Sequence, residues 1–402
     1  MKKILYFIPT FSVISETFIL REVQTLIELG NLDIRILSLQ EGTASVPSQV
    51  KEKVIYFRPS IKDILFSLPF IILNLGRILT TSKIVFYENE GTFSKNFKTF
   101  VKSIFYAKYI SKFKVNHIHS HFVSEPSTLM MFVAEILNLP FSISGHATDV
   151  FRDHDMVKAK SKRAKFVALC NSQAYLEFIK LSGGKGKKNV VLLYHGIDYL
   201  KFKFKKRDLF KAKKIKILTD ARFVEKKGLK ILSQAVVDLN QIMDVSLTIV
   251  GLAQNEEQER YRDLIIDIFE KSKLKDKLNI PNNGKGVQIE DVIQIYSESD
   301  VFVYAGIDAG KGDVDGVPNA LLQAAFSGLP VITTLSGSIS DLFDEKNSYI
   351  IIQNDSKDIT MKFQEMLIDK NRDEKSEQLF NQASKEFSLF LNIKELEELL
   401  NK

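Results

Sequence analysis

The sequence predicts an α/β chain of two Rossmann-like parallel-sheet domains facing a cleft, residues 1–200 and 201–380. Three observations lead there. Short apolar runs alternate with helical patterns along most of the chain, the order that a parallel sheet with crossover helices requires. The alternation is interrupted by a lysine-rich bridge from Lys201 through Lys216 and then restarts. The 402 residues exceed one ordinary core and fit two domains of ~200 residues each.

Taken in order, residues 3–8 read as a strand and 15–29 as a helix that starts at Ser15 and ends before Gly30. Strands at 33–39 and 53–57 lead into a helical region, 61–112. Strands at 115–119, 140–144, 166–170 and 190–194 follow, with helices at 124–137 and 172–182 among them. After the bridge come a strand at 215–219, a helix at 227–239, strands at 246–250 and near 286–288, and a helix at 290–297. Val301 to Ala305 is long enough for one more buried strand. A loop loosened by Gly306, Gly310, Gly312 and Gly316 then meets Pro318, which fits a first helical position because its missing N–H would be unpaired there anyway. Gly328 and Pro330 stop that helix about three turns later, and Val331 to Thr334 is the next strand. Such a βαβ unit offers a helix N-terminus at the carboxyl edge of its sheet, where phosphates bind. The first turn lacks G-x-G-x-x-G, which weighs against a nicotinamide or flavin site.

Composition narrows the class. With 45% hydrophobic and 26% charged residues the chain reads as soluble and globular. Its one cysteine, Cys170, excludes an internal disulfide, agrees with a reducing cytoplasm and ends an apolar strand as a core residue would. The N-terminal lysines and apolar run lack a cleavage site and pass straight into a helical pattern, so they read as the first strand and not as a signal peptide. The longest uncharged run, Ile64 to Gly76, contains Pro69 and falls short of the ~20 residues a spanning helix needs. The net charge of +7 gathers at Lys95, Lys98, Lys102, Lys108, Lys112 and Lys114, at Lys158, Lys160, Lys162, Arg163 and Lys165, and along the bridge. No zinc-finger spacing, RNA-binding aromatic signature or basic helix accompanies it, so nucleic acid is not the expected partner. The stretch Ile61 to Phe113 interleaves phenylalanines with lysines, as a segment lying on an anionic membrane surface does; a solvated basic face is the alternative. The expected location is the cytoplasm, peripheral on the inner face of the cell membrane.

Two places carry candidate chemistry. Asp315 precedes the Pro318 helix, and Gln323 lies on it amid Leu321, Leu322, Ala324, Ala325 and Phe326, where a polar group needs a partner. Either they bind a ligand, or Asp315 serves the helix dipole and Gln323 a neighbouring loop. Earlier, Thr219 to Leu229 forms a turn that delivers Arg222 and Lys227 and enters a helix. Arg222 can fork two phosphate oxygens and Lys227 adds a compact charge, as a diphosphate requires; pairing with Asp220 and Glu225 is the alternative.

The segment from Asp315 to Val331 resembles the Glu-x7-Glu region of retaining glycosyltransferases of the GT-B fold, family 4, with Asp315 and Gln323 at the two glutamate positions. Residues 219–229 are similar to that family's Gly-Arg-Leu-x-x-x-Lys-Gly pattern, with Ala221 for glycine and Phe223 for leucine. Pro9 to Ile19, containing Ser15-Glu16-Thr17-Phe18, resembles the opening of a polysaccharide-assembly branch. His117 to Phe122, Ser144 to Val150 and His195 to Asp198, followed by Phe202, resemble later segments of it. The resemblance implies sugar transfer, with retention, from a nucleoside-diphosphate sugar to a glycan or lipid-linked acceptor in cell-surface polysaccharide assembly. It implies that Arg222 and Lys227 hold the phosphates, and that Asp315, Gly316, Val317, Pro318, Asn319 and Gln323 hold sugar and ribose. Glu16 and His121 join the substrate-binding set, and His146 faces the reacting sugar, so that His146, Asp315, Arg222 and Lys227 form the catalytic set. The last helix, within 381–402, is expected to return to the N-terminal domain.

No metal cofactor is expected. His117, His119 and His121 share one strand face, but the run supplies no carboxylate and a period of two is what any strand gives. Asp313-Val314-Asp315 imitates the D-x-D metal motif of a different glycosyltransferase fold. Its place before the helix argues against that role, because the dipole with Arg222 and Lys227 already neutralises a diphosphate. Three other readings remain open: a nucleotide-sugar epimerase, a catalytically weak relative acting as a binding partner, and a basic membrane-surface adaptor.

Overall fold

The computed structural model describes residues 1–402 apart from 14–15, 61–65, 185–187, 210–212 and 309–315. The chain divides into two compact units, one of Met1–His195 with Leu389–Lys402, the other of Gly196–Ser388. The segment belonging to the first unit thus starts at Leu389 and not at 381, because helix Arg372–Glu386 packs wholly within the second.

The first unit holds β1 (Lys2–Phe11), β2 (Leu32–Glu41), β3 (Val54–Tyr56), β4 (His117–His121), β5 (Phe141–Gly145), β6 (Val167–Leu169) and β7 (Val190–Leu192). Their order is β3-β2-β1-β4-β5-β6-β7, with every pair parallel. Helices cover both faces of such a sheet, so β1 is a continuous apolar run and not an alternating one. Its residues still divide by the strand's period of two: Leu5 and Phe7 enter one core with Met130, Phe132 and Val133, and Ile4, Tyr6 and Ile8 enter the other. The second core also takes Ile19, Val23 and Leu26 from helix Thr17–Leu29, and Ile393, Leu396 and Leu400 from the terminal helix Leu389–Asn401. Lys2 Nζ donates to Leu400 O at 2.6 Å, placing a cation at that helix's negative end.

The second unit holds β8 (Ile215–Asp220), β9 (Val245–Val250), β10 (Leu278–Asn279), β11 (Val301–Tyr304), β12 (Val331–Thr333) and β13 (Tyr349–Ile350). Their order is β10-β9-β8-β11-β12-β13, again all parallel. In both sheets the strand order reverses once, between β1 and β4 and between β8 and β11. Flanking loops diverge at those points and leave a crevice at the carboxyl edge.

Two expectations need correction. No strand forms near 286–288: Gly284 (φ +72°) and Gly286 (φ +90°) turn the chain there, and the edge strand is Leu278–Asn279, paired with Leu247 and Thr248. The region 61–112 is helical as expected, holding helices Leu68–Leu73, Leu75–Tyr87 and Phe93–Ser111 among the described residues. The helix expected from 227 starts at Leu229, because Gly228 sits at φ +64° and ends the preceding 3-10 turn.

Gly228 also lies where a Cβ would come 1.9 Å from Ala305 O, whereas a Cβ at Gly30, φ +70°, would meet nothing within 4 Å. Gly30→Ala is therefore expected to cost only the left-handed backbone, about 1 kcal/mol, and Gly228→Ala clearly more, roughly 2 kcal/mol or above. Urea unfolding of the two variants checks this, and equal midpoints would contradict the close approach.

Candidate functional site

At the second sheet's carboxyl edge, β8 ends on Asp220 and β11 on Tyr304. The Tyr296 hydroxyl lies 3.2 Å from both Asp220 Oδ2 and Ala320 O, tying strand end to helix. Burial pushes the Asp220 carboxyl up to about 6, with the Tyr296 hydroxyl and the Lys227 charge pulling it back. In the loop after β8, Arg222 is exposed, while Lys227 Nζ donates to Tyr304 Oη at 3.1 Å and lies 5.2 Å from that ring's centroid. Ile307 N donates to Lys226 O at 2.9 Å, and a Cβ on Gly306 would strike the Tyr304 ring at 2.3 Å. The loops following β8 and β11 are thereby knit together, and the ammonium is held in place.

Pro318 is the N-cap of helix Asn319–Phe326 and not its first residue, and the helix spans eight residues, about two turns and not three. Gly316 and Val317 lead into it. Leu321, Leu322, Ala324, Ala325 and Phe326 are buried, and Gln323 is half-buried among them. Its Oε1 is shielded from solvent and has no hydrogen-bond partner among the described residues. Asp315 lies outside the described residues, as do Asp313 and Ser15.

The first unit's switch point gathers histidines. His117, His119 and His121 on β4 are all fully buried. The Ser142 hydroxyl lies between His117 Nε2 (2.6 Å) and His119 Nδ1 (2.7 Å), and His119 Nε2 is 3.0 Å from Ser144 Oγ. His121 Nε2 meets Glu22 Oε1 at 3.1 Å and its Nδ1 meets His146 Nε2 at 3.2 Å; His146 Nδ1 then meets His195 Nε2 at 3.1 Å. Phe18 stacks on His195 with centroids 4.2 Å apart. His146 caps helix Ala147–Phe151, its backbone N–H bonded to Asp149 Oδ1 at 2.8 Å, and Asp149 Oδ2 also accepts from Val123 N. Burial pushes the Asp149 carboxyl up to about 6 against those N–H groups.

The sequence placed His121 and His146 in contact with substrate, but neither offers a free ring nitrogen. His146 is buried, because β4, β5 and the segment after β7 bring three imidazoles together. Glu16 sits half-buried just before helix Thr17–Leu29, its carboxyl raised by burial against the pull of His121. Glu22, the carboxylate missing from the β4 run, arrives from that helix. Its place among Ile19, Val23 and Leu26 on the apolar stripe was a readable signal. Lys160, read as surface charge, is fully buried and donates to the carbonyls of Val123, Ser124 (2.9 Å) and Asp155 (2.5 Å). Burial lowers its ammonium to about 7, and it fastens the loop after β4. Among the described residues, two groups have ligand atoms within 4.8 Å of one another and could hold a metal ion, Glu22 with His119 and His121, and His146 with Cys170 and His195. Burial raises the Cys170 thiol to about 12, which opposes the thiolate a metal prefers.

Comparison with known proteins defines the class. Residues 201–386 match the family model described as glycosyl transferases group 1, and with relatives named as glycosyltransferases along most of its length the chain is a glycosyltransferase. Anabaena HepE in complex with UDP superposes with a TM-score of 0.67 at 15% identity, covering 100% of both chains, and shares the GT-B fold. Among curated relatives, the chain is similar to the putative colanic acid biosynthesis glycosyltransferase WcaL of Salmonella typhimurium, 23% identical over 90% of each chain. The Escherichia coli protein of that name is 29% identical over 148 residues, 36% of this chain and 34% of that one. The amylovoran biosynthesis glycosyltransferase AmsK of Erwinia amylovora is 26% identical over 86% of each.

Burial holds His117 down to about 3 and His195 to about 4, and depresses His119 and His146 as well. An imidazole whose folded value is depressed is protonated first in the unfolded chain, so its contribution is complete above the ordinary 6.5 and declines as the pH falls below it. Asp149 and Glu16, both raised, oppose this between about 6 and 4, two carboxyls against four imidazoles. The first unit is expected to lose stability between pH 6.5 and about 4, read as a lower melting temperature near pH 5 than at pH 7; a higher one would refute the balance.

Proposed function

We propose that the protein transfers a sugar from a nucleoside-diphosphate sugar to a glycan or lipid-linked acceptor in cell-surface polysaccharide assembly, with retention and without a metal cofactor. The observation that carries this reading is the arrangement where β8 and β11 part: exposed Arg222, Lys227 Nζ held by Tyr304, and a helix N-terminus followed by Gln323, whose Oε1 has no partner among the described residues. The names of the relatives, colanic acid and amylovoran biosynthesis, and the UDP and UDP-glucose in the HepE structures support it.

In this reading Arg222 forks the diphosphate and Lys227 adds a fixed charge, while the backbone N–H groups at the start of helix Asn319–Phe326 face the same anion. Gly316, Val317, Pro318 and Asn319 shape the sugar and ribose pocket, with Asp315 on the donor sugar. Gln323 Oε1 accepts one ribose hydroxyl. The anomeric carbon–oxygen bond to phosphate breaks as the acceptor oxygen bonds that carbon, and the departing phosphate takes the acceptor's proton. The cations stabilise the growing negative charge, the place where electrostatic help is worth most.

The acceptor side favours a lipid. A groove of about 650 Å³ in the first unit is lined by Phe7, Pro9, Leu39, Val101, Phe105 and Leu129, with Arg58 and Lys102 at its rim. Beside it, Phe66, Leu68, Ile72, Leu73, Leu79, Phe86, Tyr87 and Phe97 are exposed along 66–101, more apolar surface than a solvated face presents. Among the described residues no helix is long and apolar enough to cross a membrane. Peripheral binding to an anionic surface, with Lys98 and Lys102 on the headgroups, accounts for both features.

Arg222→Ala and Lys227→Ala are each expected to weaken nucleoside-diphosphate binding roughly ten- to a hundredfold, the loss of a charge-assisted contact. Gln323→Glu should tighten it, and EDTA should leave turnover intact. Calorimetry showing unchanged affinity in all three variants would refute the donor site, and activity lost to EDTA but restored by Mg²⁺ would refute the metal-free mechanism.

Sedimentation with vesicles checks the membrane reading. Binding should require anionic lipid, weaken with salt and fall sharply in an Ile72→Glu, Leu73→Glu double variant. Equal binding to neutral vesicles, or none to either, would count against it.

A further inference from the structure

Glu22, His121, His146 and His195 come from a helix, the end of β4, the start of helix Ala147–Phe151 and the segment after β7. They touch in series at 3.1, 3.2 and 3.1 Å. A carboxylate only accepts, and a neutral imidazole donates from one nitrogen and accepts at the other, so the direction of every bond in the series is dictated by Glu22. His121 must donate from Nε2 to Glu22, which leaves its Nδ1 as an acceptor. His146 then donates from Nε2 to His121, and His195 from Nε2 to His146. The last member is left with a lone pair on Nδ1, to which no described residue donates. His195 is partly exposed, and Phe18 stacked at 4.2 Å fixes its plane.

We propose that His195 Nδ1 is a further substrate-binding position that accepts the hydrogen bond of a sugar hydroxyl. Glu22, His121 and His146 are the positioning residues that keep it an acceptor. This rests on the transfer reading above and adds to it a polarity: the site takes a hydroxyl and rejects a substituent at that position that cannot donate. The groups around the series do not disturb it. His119 is 5.6 Å from His121 ring to ring but has both nitrogens on serines, and the neutral Tyr6 ring lies 5.8 Å away. Glu16 lies near His121, the Cys170 thiol lies within 4.8 Å of a nitrogen of His146 and of His195, and Asp149 meets His146 in a capping box, its Oδ1 accepting from the His146 backbone N–H and its own N–H facing the His146 side chain, which leaves the order of the series as it is. A proton gained at His195 Nδ1 would reverse the series: His195 passes its Nε2 proton to His146 Nδ1, His146 passes its own to His121 Nδ1, and the charge rests on His121 against Glu22.

The direct test needs no variant. Long-range proton–nitrogen NMR of the full chain labelled at histidine should show His121, His146 and His195 as Nε2–H tautomers at neutral pH, and Glu22→Leu should release that bias. Kinetically, His195→Gln, which keeps an amide near Nε2, should raise one substrate KM about tenfold or more. His195→Asn, which returns an acceptor near Nδ1, should recover part of the loss. A rise confined to the nucleotide sugar assigns the hydroxyl to the donor, and a rise confined to the acceptor assigns it there. An Nδ1–H tautomer at His146 in the wild type, or both KM values unchanged in His195→Gln, overturns the proposal. Stoichiometric zinc that is lost in Cys170→Ser also overturns it, since the same nitrogens would then be ligands. Failure of the wild type to bind any nucleoside diphosphate refutes the transfer reading instead, whatever the tautomers.

Discussion

Each sheet's central strands run parallel and their connections leave in opposite directions at one point, and the rest of the molecule depends on this constraint. Between β8 and β11 the divergence is tight enough that Gly228 lies against the Ala305 carbonyl and Gly306 against the Tyr304 ring, with no space for a Cβ at either. The same crowding fixes the Lys227 ammonium, whose partner Tyr304 is the last residue of β11. Glycine there is a condition of the site's geometry, since a cation proposed to meet a phosphate gains most when its position is set beforehand.

The first unit solves a different problem. Its switch point buries four histidines, Glu22 and Lys160 at a place where desolvating any charge is costly. The outcome is neutrality by mutual hydrogen bonding: serines from β5 serve His117 and His119, and the remaining imidazoles serve one another. Lys160 is bound by three backbone carbonyls, which accept without adding charge. From Glu22 to His195 the contacts run in series, and direction is what a single carboxylate at one end can impose along such a series.

The two units therefore divide the chemistry. One presents fixed positive charge and backbone N–H groups, suited to a phosphorylated donor. The other presents neutral, oriented hydrogen-bonding groups and, along residues 66–101, an exposed apolar surface with lysines beside it. The basic balance of the chain gathers in that helical region and in the bridge, while Lys160, one of the same clusters by sequence, is consumed inside the core.

Strand–helix alternation, the restart after the bridge, and the Arg222, Lys227 and Gln323 spacings were legible in the sequence because each is a local matter: a period, a turn residue, a motif a few residues long. Local reading misplaced the edge strand at 286–288, where two glycines turn the chain, and extended the Pro318 helix by a turn. It did not foresee that the ring nitrogens of His121 and His146 meet other side chains, or that Lys160 is buried. Those omissions share a cause. Glu22 is 99 residues from His121 and His146 is 49 from His195, so whether a polar side chain faces ligand, water or another side chain was decided only when the sheet brought distant segments together. Sequence determined which groups were available; the tertiary structure decided which of them had already been satisfied by one another, because a buried polar group must find a partner wherever the fold supplies it.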